Sequence, residues 1–385
     1  MEIRVFNIEL EPLGIVDEVA SVILKLKYFA VGNISILAPA TKNNLKLLIE
    51  GNILMIHDGT AAYIDSAGNK WHRATVIKYT HIEKDEQGEE QIEAQGYTLS
   101  YWLNKRVITP QLVTTDTVQN IINKQVQRNC GSSASKKRRF ERFSILQQER
   151  YGGTAVSYSN DAYASLDVEV KSLAQSGKLG YDILVNEHNR KYGFYLYKGI
   201  DRTVGNAAGL KPCIFSSEFD NINSRSYEHS SENYKNFMYL IGKATEEETV
   251  APVVTRDSEG LEGLRLEEVA LESDIDRSYT DDAGKQQTIE LETYKNMLSN
   301  QSITELAAYD ENINFDSSIN ITSNLRYRRD FDIGDRVTCQ ERDWGIRLDA
   351  RITEVSEVWQ KGTHTIEVVF GESTPSLIDK IRKVR

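Results

Sequence analysis

The chain has 385 residues, 40% of them hydrophobic and 27% charged, and a net charge of −11. That length suits roughly two to four domains with packed cores and excludes a chain disordered throughout. The acidic balance disfavours a general nucleic-acid-binding surface, which needs clustered Lys and Arg, and suits a surface past which nucleic acid slides without sticking.

No stretch approaches the roughly 20 apolar residues that span a bilayer. The longest apolar region, 19–31, is broken by Lys25 and Lys27. The start, Met1-Glu2-Ile3-Arg4, lacks a basic segment followed by an apolar core, so no secretory signal is expected. Cys130, Cys213 and Cys339 are odd in number and far apart. They argue against a disulfide framework or a metal site and suit cytosolic synthesis.

Residues 1–110 read as short strands. Val22, Leu24, Leu26 and Tyr28 alternate with Ile23, Lys25 and Lys27, and Ile34 and Ile36 resume the period of two after Gly32-Asn33. Leu45 to Ile49 leads to a turn at Gly51-Asn52, 53–56 is a short strand, and Asp58-Gly59 marks a turn. A hairpin over 73–82 and 91–95 turns near 85–88, and 97–106 reads as a short helix closed by Pro110. Short strands at this spacing predict an antiparallel barrel or sandwich.

Residues 111–205 change character. Thr115 or Asp116 is positioned to cap a helix carrying Val118, Ile121, Ile122 and Val126 on one face. A serine-rich loop, 131–135, precedes the basic run Lys136-Lys137-Arg138-Arg139. No aromatic platform is interleaved with that run, so it reads as a solvated loop rather than a nucleic-acid patch. After Gly152-Gly153 come a strand with Val156 and Tyr158 and a helix capped by Asn160 or Asp161. That helix carries Leu166, Val170 and Leu173, with Gly177 at its left-handed stop. A hairpin over 181–185 and 194–197 follows. The order is β-α-β-β, an α+β insertion.

Beyond residue 206 the pattern returns to strands, with 237–241 a compact apolar one. The stretch 246–282 holds 13 Asp or Glu against Arg256, Arg265 and Arg277, and 246–263 reads as an exposed loop. Leu291, Tyr294 and Leu298 mark a helix over 290–298. Strands are expected at 326–331, 336–340, 347–358 and 365–370, with turns at Ile333-Gly334-Asp335 and 360–362. A helix over 376–381 follows Pro375.

Signals for catalysis are weak. His57, His72, His81, His188, His229 and His364 form no zinc-protease motif. No nucleophile elbow or phosphate loop is present, and Ser132, Ser133 and Ser135 have no histidine nearby in sequence. Asp201 could be read as a general acid, but without a second carboxylate or histidine beside it, Asp201 and Arg202 read better as structural residues that pair with the backbone or with each other at a domain junction.

Several phrases, in order, resemble the landmarks of a family of siphophage tail proteins. Gln95-Gly96-Tyr97-Thr98-Leu99 through Lys105-Arg106-Val107-Ile108 resembles the end of that family's first domain. The run from Phe194 through Gly199-Ile200-Asp201-Arg202-Thr203 is similar to its "Phe … Gly-x-Asp-Arg-Thr". Ile214-Phe215-Ser216 and Tyr234-Lys235-Asn236-Phe237 match the next landmarks. Phe331-Asp332-Ile333-Gly334-Asp335-Arg336-Val337 is similar to its "Gly-Asp-x-Val" turn, and Val368-Val369-Phe370-Gly371 with Pro375 and Leu377 fits its ending.

The resemblance implies a baseplate or tail-tip hub, similar to the N-terminal hub part of tail-associated lysins. Such hubs are homotrimers whose subunits each offer two related β-barrels, so that a pseudo-sixfold ring mates with a sixfold tail ring. The implied fold is mainly β with an α+β insertion: two related antiparallel barrel-like tube domains plus smaller inserted units. The expected division is 1–110 and 206–250 with 320–385 as the hub domains, 111–205 as the insertion, and 251–319 as an acidic loop plus helical insertion.

Implied partners are two further copies of the chain, the sixfold distal tail ring protein, the tube and tape-measure proteins and tip or receptor-binding proteins. DNA is met only in transit. The implied location is the virion tail tip, after assembly in the host cytoplasm. No cofactor, metal or catalytic residue is expected. The chain ends at Arg385, soon after the hub-like ending, so no lytic extension is expected. The structural landmarks are Gly96, Arg106, Gly199, Asp201, Arg202, Gly334, Asp335 and Gly371. Competing readings are a cell-wall hydrolase with carboxylates in the insertion and a carbohydrate-binding adsorption module.

Overall fold

A computed structural model describes residues 1–371 apart from 58, 87, 148, 161–162, 246–250, 259–263, 272–274, 281–283, 321 and 361, and apart from the side chain of residue 304. The Asp58 turn, part of the acidic loop and the helix expected at 376–381 lie outside the described residues.

The architecture is mainly β, and one 13-stranded sheet dominates it. Its pivot is Ser21–Lys27, which pairs antiparallel with Asn33–Pro39 on one side and with Ile346–Gln360 on the other. Alternation explains the placement: Val22, Leu24 and Leu26 are buried, while Ile23 faces solvent. Lys25 and Lys27 reach Glu354 on the neighbouring strand at 3.5 and 3.4 Å.

Through this pairing the two ends of the chain share one sheet and one core. Val22, Leu26 and Ile36 pack in the same cluster as Phe215, Phe315, Val355 and Phe370. Each such side chain contributes about 1.5–3 kcal/mol of burial. The two β-rich portions therefore do not form separate closed barrels among the described residues. They are halves of a continuous open sheet, ordered by hydrogen bonds from Ile222–Ser230 at one edge to Pro12–Ile15 at the other.

The α+β insertion is present. Helices Val118–Asn129 and Leu166–Gly177 pack beside the hairpin Gly180–Asn186 and Lys191–Tyr197. Their core joins Phe6, Leu10, Ile53, Leu99 and Leu103 from the first 110 residues to Ile122, Val170, Ile183 and Phe194. Lys70–Arg73 leaves the large sheet altogether and pairs with Gly180–Asn186. A three-stranded sheet, Val253–Asp257, Phe237–Ile241 and Glu267–Leu271, packs Met238 and Leu240 on Tyr294 and Leu298 of helix Leu291–Ala307.

Local expectations fail where a different local bond wins. Lys42–Leu47 is a helix rather than part of the strand series, because the Thr41 hydroxyl caps it by accepting from Asn44 N. Thr117, not Thr115 or Asp116, caps Val118–Asn129 by accepting from Asn120 N. Ser165 precedes Leu166–Gly177, while Asn160 is buried elsewhere. The left-handed stop falls on Lys178, with φ 53°, rather than on Gly177. The 326–331 segment is a tight turn, closed by Arg328 N donating to Phe331 O, and not a strand. Within 246–263, Val253–Asp257 is a strand rather than loop.

Candidate functional site

Five of the eight sequence landmarks, Gly199, Asp201, Arg202, Gly334 and Asp335, converge where the insertion rejoins the large sheet. Lys191–Tyr197 ends just before Gly199, and the chain then runs beside the turn that precedes strand Arg336–Glu341. Arg336 N donates to Ile200 O at 2.9 Å, and Arg202 N donates to Arg336 O at 2.7 Å. The two backbones thus form a short parallel ladder around Asp201 and Arg336.

Asp335 is the acceptor at the centre. One carboxylate oxygen accepts from Ile200 N at 2.7 Å; the other accepts from Asp332 N at 3.0 Å and from Arg202 Nε at 3.1 Å. It is 4% exposed, and burial raises its pKa against the pull of these donors. Its work is structural: every donor it meets belongs to the junction.

Asp201 and Arg202 do not pair with each other. Asp201 accepts from the Thr203 backbone N–H at 3.1 Å and hydroxyl at 2.7 Å, and lies 3.7 Å from Arg336. The Thr203 hydroxyl, above all, holds the Asp201 carboxyl below the usual carboxylate range. A general acid needs the opposite shift.

Glycine is required twice here. A Cβ on Gly334, whose φ is 93°, would lie 2.3 Å from the Tyr28 ring, and one on Gly199 would meet the Gly334 carbonyl. Tyr28 fills the space the glycines leave. Its hydroxyl accepts from Gly199 N at 3.2 Å and faces the carbonyls of Lys178 and Tyr197 at 3.1 and 3.2 Å. Arg351 lies over the ring at 5.1 Å and donates to Gly334 O at 2.5 Å.

Gly96, Arg106 and Gly371 lie elsewhere. Gly96 and Gly371 each allow close strand approach: a Cβ would fall 2.2 Å from Val76 O and 2.4 Å from Ile313 O respectively. Arg106 sits over Phe140 at 4.5 Å and donates to Arg138 O at 3.3 Å. The basic run is partly structural too. Arg138 donates to Thr109 O at 3.0 Å and Arg139 to Ala134 O at 2.7 Å.

Sequence reasoning missed Tyr28, Arg73 and Asp182. Tyr28 looked like one more member of an alternating strand. Arg73 lies between Asp182 at 3.9 Å and Asp332 at 3.7 Å, tying the insertion's sheet to the same turn. Burial pushes the Asp182 carboxyl up to about 6, although Arg73 pulls it back.

Other candidate reactive groups are occupied in packing. The three cysteines are buried and unpaired by disulfides, and burial pushes Cys130 and Cys213 up to about 12. His57 and His72 lie 6.2 Å apart between ring centres, His229 meets Glu311 at 3.1 Å, and His364 stacks on Trp359. Among the described residues no group of three or more His, Cys, Asp or Glu is placed to hold a metal ion.

A family model, Siphovirus ReqiPepy6 Gp37-like protein, matches residues 2–372. The chain belongs to this family of siphovirus tail proteins. No curated protein matches it in sequence. Three solved structures share the fold over almost the full length of both chains. They are the tail protein from Neisseria meningitidis MC58 (TM-score 0.59, 11% identity, 97% of this chain and 96% of that one), the prophage MuSo2 43 kDa tail protein from Shewanella oneidensis (0.55, 10%, 96% and 98%) and prophage tail protein gp18 from Listeria monocytogenes EGD-e (0.54, 14%, 100% and 98%). The family is one of phage tail structural proteins.

Proposed function

We propose that this family member is a homotrimeric hub that caps the distal end of the tail tube. It joins a sixfold tail ring to threefold tip components and opens for DNA passage. The observation that carries the reading is the shared sheet. Two β-rich portions lie side by side, joined by Ser21–Lys27 against Ile346–Gln360, so each subunit offers two adjacent segments to a ring. Three copies then supply six segments, and closed cyclic symmetry is the usual solution for such a ring. Among the described residues Pro12–Ile15 and Ile222–Ser230 are the edges of this sheet, which also favours assembly, since unpaired edges are a hazard in a monomer.

In this reading the hub domains are the parts of 1–110, 206–250 and 320–385 that build the large sheet together with strand Asn312–Ile319, and 111–205 and 251–311 decorate it. Gly199, Asp201, Arg202, Gly334 and Asp335 lock the insertion onto the hub, Gly96 and Gly371 allow close strand approach, and Arg106 holds the loop that carries Arg138 and Phe140. Partners are the distal tail ring, the tube and tape-measure proteins and tip proteins. The role is mechanical, not enzymatic, at the virion tail tip after assembly in the host cytoplasm.

Mass measurement of the purified protein and immunogold labelling of virions test this. Three chains per particle and label at the tail tip are expected. A monomer at micromolar concentration with label absent from the tip would overturn it.

A further inference from the structure

A cleft of about 370 Å³ lies between the insertion and helix Leu291–Ala307. Strand Val156–Ser159 and helix Leu166–Gly177 form one wall, and Leu291–Ala307 forms the other. The framework role leaves this cleft without an assignment. Its volume is at the lower end of the range for ligand pockets, room for about two sugar rings.

The lining chemistry narrows the occupant. Glu169, Ser172, Asn300, Gln301 and Glu305 supply carboxylate, hydroxyl and amide groups, and among the described residues no Lys or Arg lines the cleft. Two carboxylates and no cation disfavour a phosphate or any anionic polymer. An added peptide strand is disfavoured because the carbonyl of Ser157, on the cleft-side strand, already accepts from Asn300 Nδ2 at 3.3 Å. Glu169 accepts from the Tyr158 hydroxyl at 2.8 Å and Glu305 from Gln301 at 2.8 Å.

What remains is a neutral ligand rich in hydroxyls. The Glu305 carboxylate can accept from a sugar hydroxyl, and amides such as Asn300 and Gln301 both donate and accept. Ile303, 45% exposed, gives the cleft apolar surface for the C–H face of a pyranose ring. We propose that this cleft binds a neutral oligosaccharide. The inference stands apart from the hub reading, because it concerns the isolated chain and no ring is needed to form the cleft.

The test is titration calorimetry of the full chain with chitotetraose and maltotetraose, and with poly(glycerol phosphate) as the anionic comparison. At least one neutral tetrasaccharide is expected to bind with a Kd of about 1 mM or tighter. Ser172→Trp, which fills the cleft, and Gln301→Ala, which removes an amide, should each weaken binding about tenfold or more with the melting temperature unchanged. Glu305→Gln serves if either variant fails to fold. The proposal is overturned if neither tetrasaccharide binds, if binding survives these substitutions, or if poly(glycerol phosphate) binds in their place.

Discussion

Gly199 and Gly334 approach so closely that a Cβ on Gly199 would lie 1.7 Å from the Gly334 carbonyl oxygen. The contact joins the end of the insertion to the turn before Arg336–Glu341, and neither backbone is free to retreat. Gly334 N donates to Ile352 O at 2.8 Å, and Ile200, next to Gly199, is held at both its N–H and its carbonyl.

Gly199→Ala should accordingly destabilise the protein by about 3 kcal/mol or more, since the clash is with backbone rather than a movable side chain. Gly205→Ala is the comparison: its φ is 84° but a Cβ there meets nothing within 4 Å, so it should cost about 1 kcal/mol. Urea unfolding of both variants measures the difference. Equal midpoints would show that the junction yields.

Arg202 and Asp335 should behave as a buried pair whose members cannot be removed singly without loss. Asp335→Ala leaves Ile200 N, Asp332 N and Arg202 without their acceptor, and should cost about 3–5 kcal/mol. Arg202→Ala, at a side chain 21% exposed, should cost less. A double-mutant cycle should return a coupling of about 1–3 kcal/mol. Additive losses would mean that the ion pair contributes nothing beyond the backbone bonds.

Tyr28→Phe keeps the ring between Gly180 and Gly334 and removes only the hydroxyl. Gly199 N then loses its acceptor, and the Lys178 and Tyr197 carbonyls lose a shared donor. A cost of about 1–3 kcal/mol is expected. Hydrogen exchange at Gly199 should accelerate well before global unfolding; unchanged protection there would argue against the bond.

Asp182 carries a pH signature. Its folded carboxyl sits at about 6, above the ordinary value of 3.8. Between those values the folded state holds a proton that the unfolded state has lost, so its contribution to stability falls as pH rises from 4 to 6. A shift of about two pH units corresponds to about 3 kcal/mol. Relative to Asp182→Asn, the native protein should therefore be about 2 kcal/mol less stable at pH 7 than at pH 4. A stability difference that stays constant over this range would refute the assignment.

Much of the β architecture was legible because burial leaves a period of two. Val22, Leu24 and Leu26 announced their strand, and Gly334-Asp335 announced its turn through local backbone chemistry. Local competition was harder to read. Thr41 turned a leucine-rich segment into a helix, and the turn at Arg328 displaced an expected strand, each through a bond a few residues long.

Periodicity and turn residues placed most of the strands, helices and turns in advance, and the ordered landmarks pointed to the tail-protein family. Which strands meet was settled by packing in three dimensions. Ser21–Lys27 pairs with Ile346–Gln360 across more than 300 residues, and Lys70–Arg73 abandons its own hairpin series for the insertion. Alternation encodes which face of a strand is buried but not the partner beside it, because many apolar strands compete for the same edge. The same limit hid Tyr28, whose value lies in two distant glycines, Gly180 at the start of a strand and Gly334 in a turn.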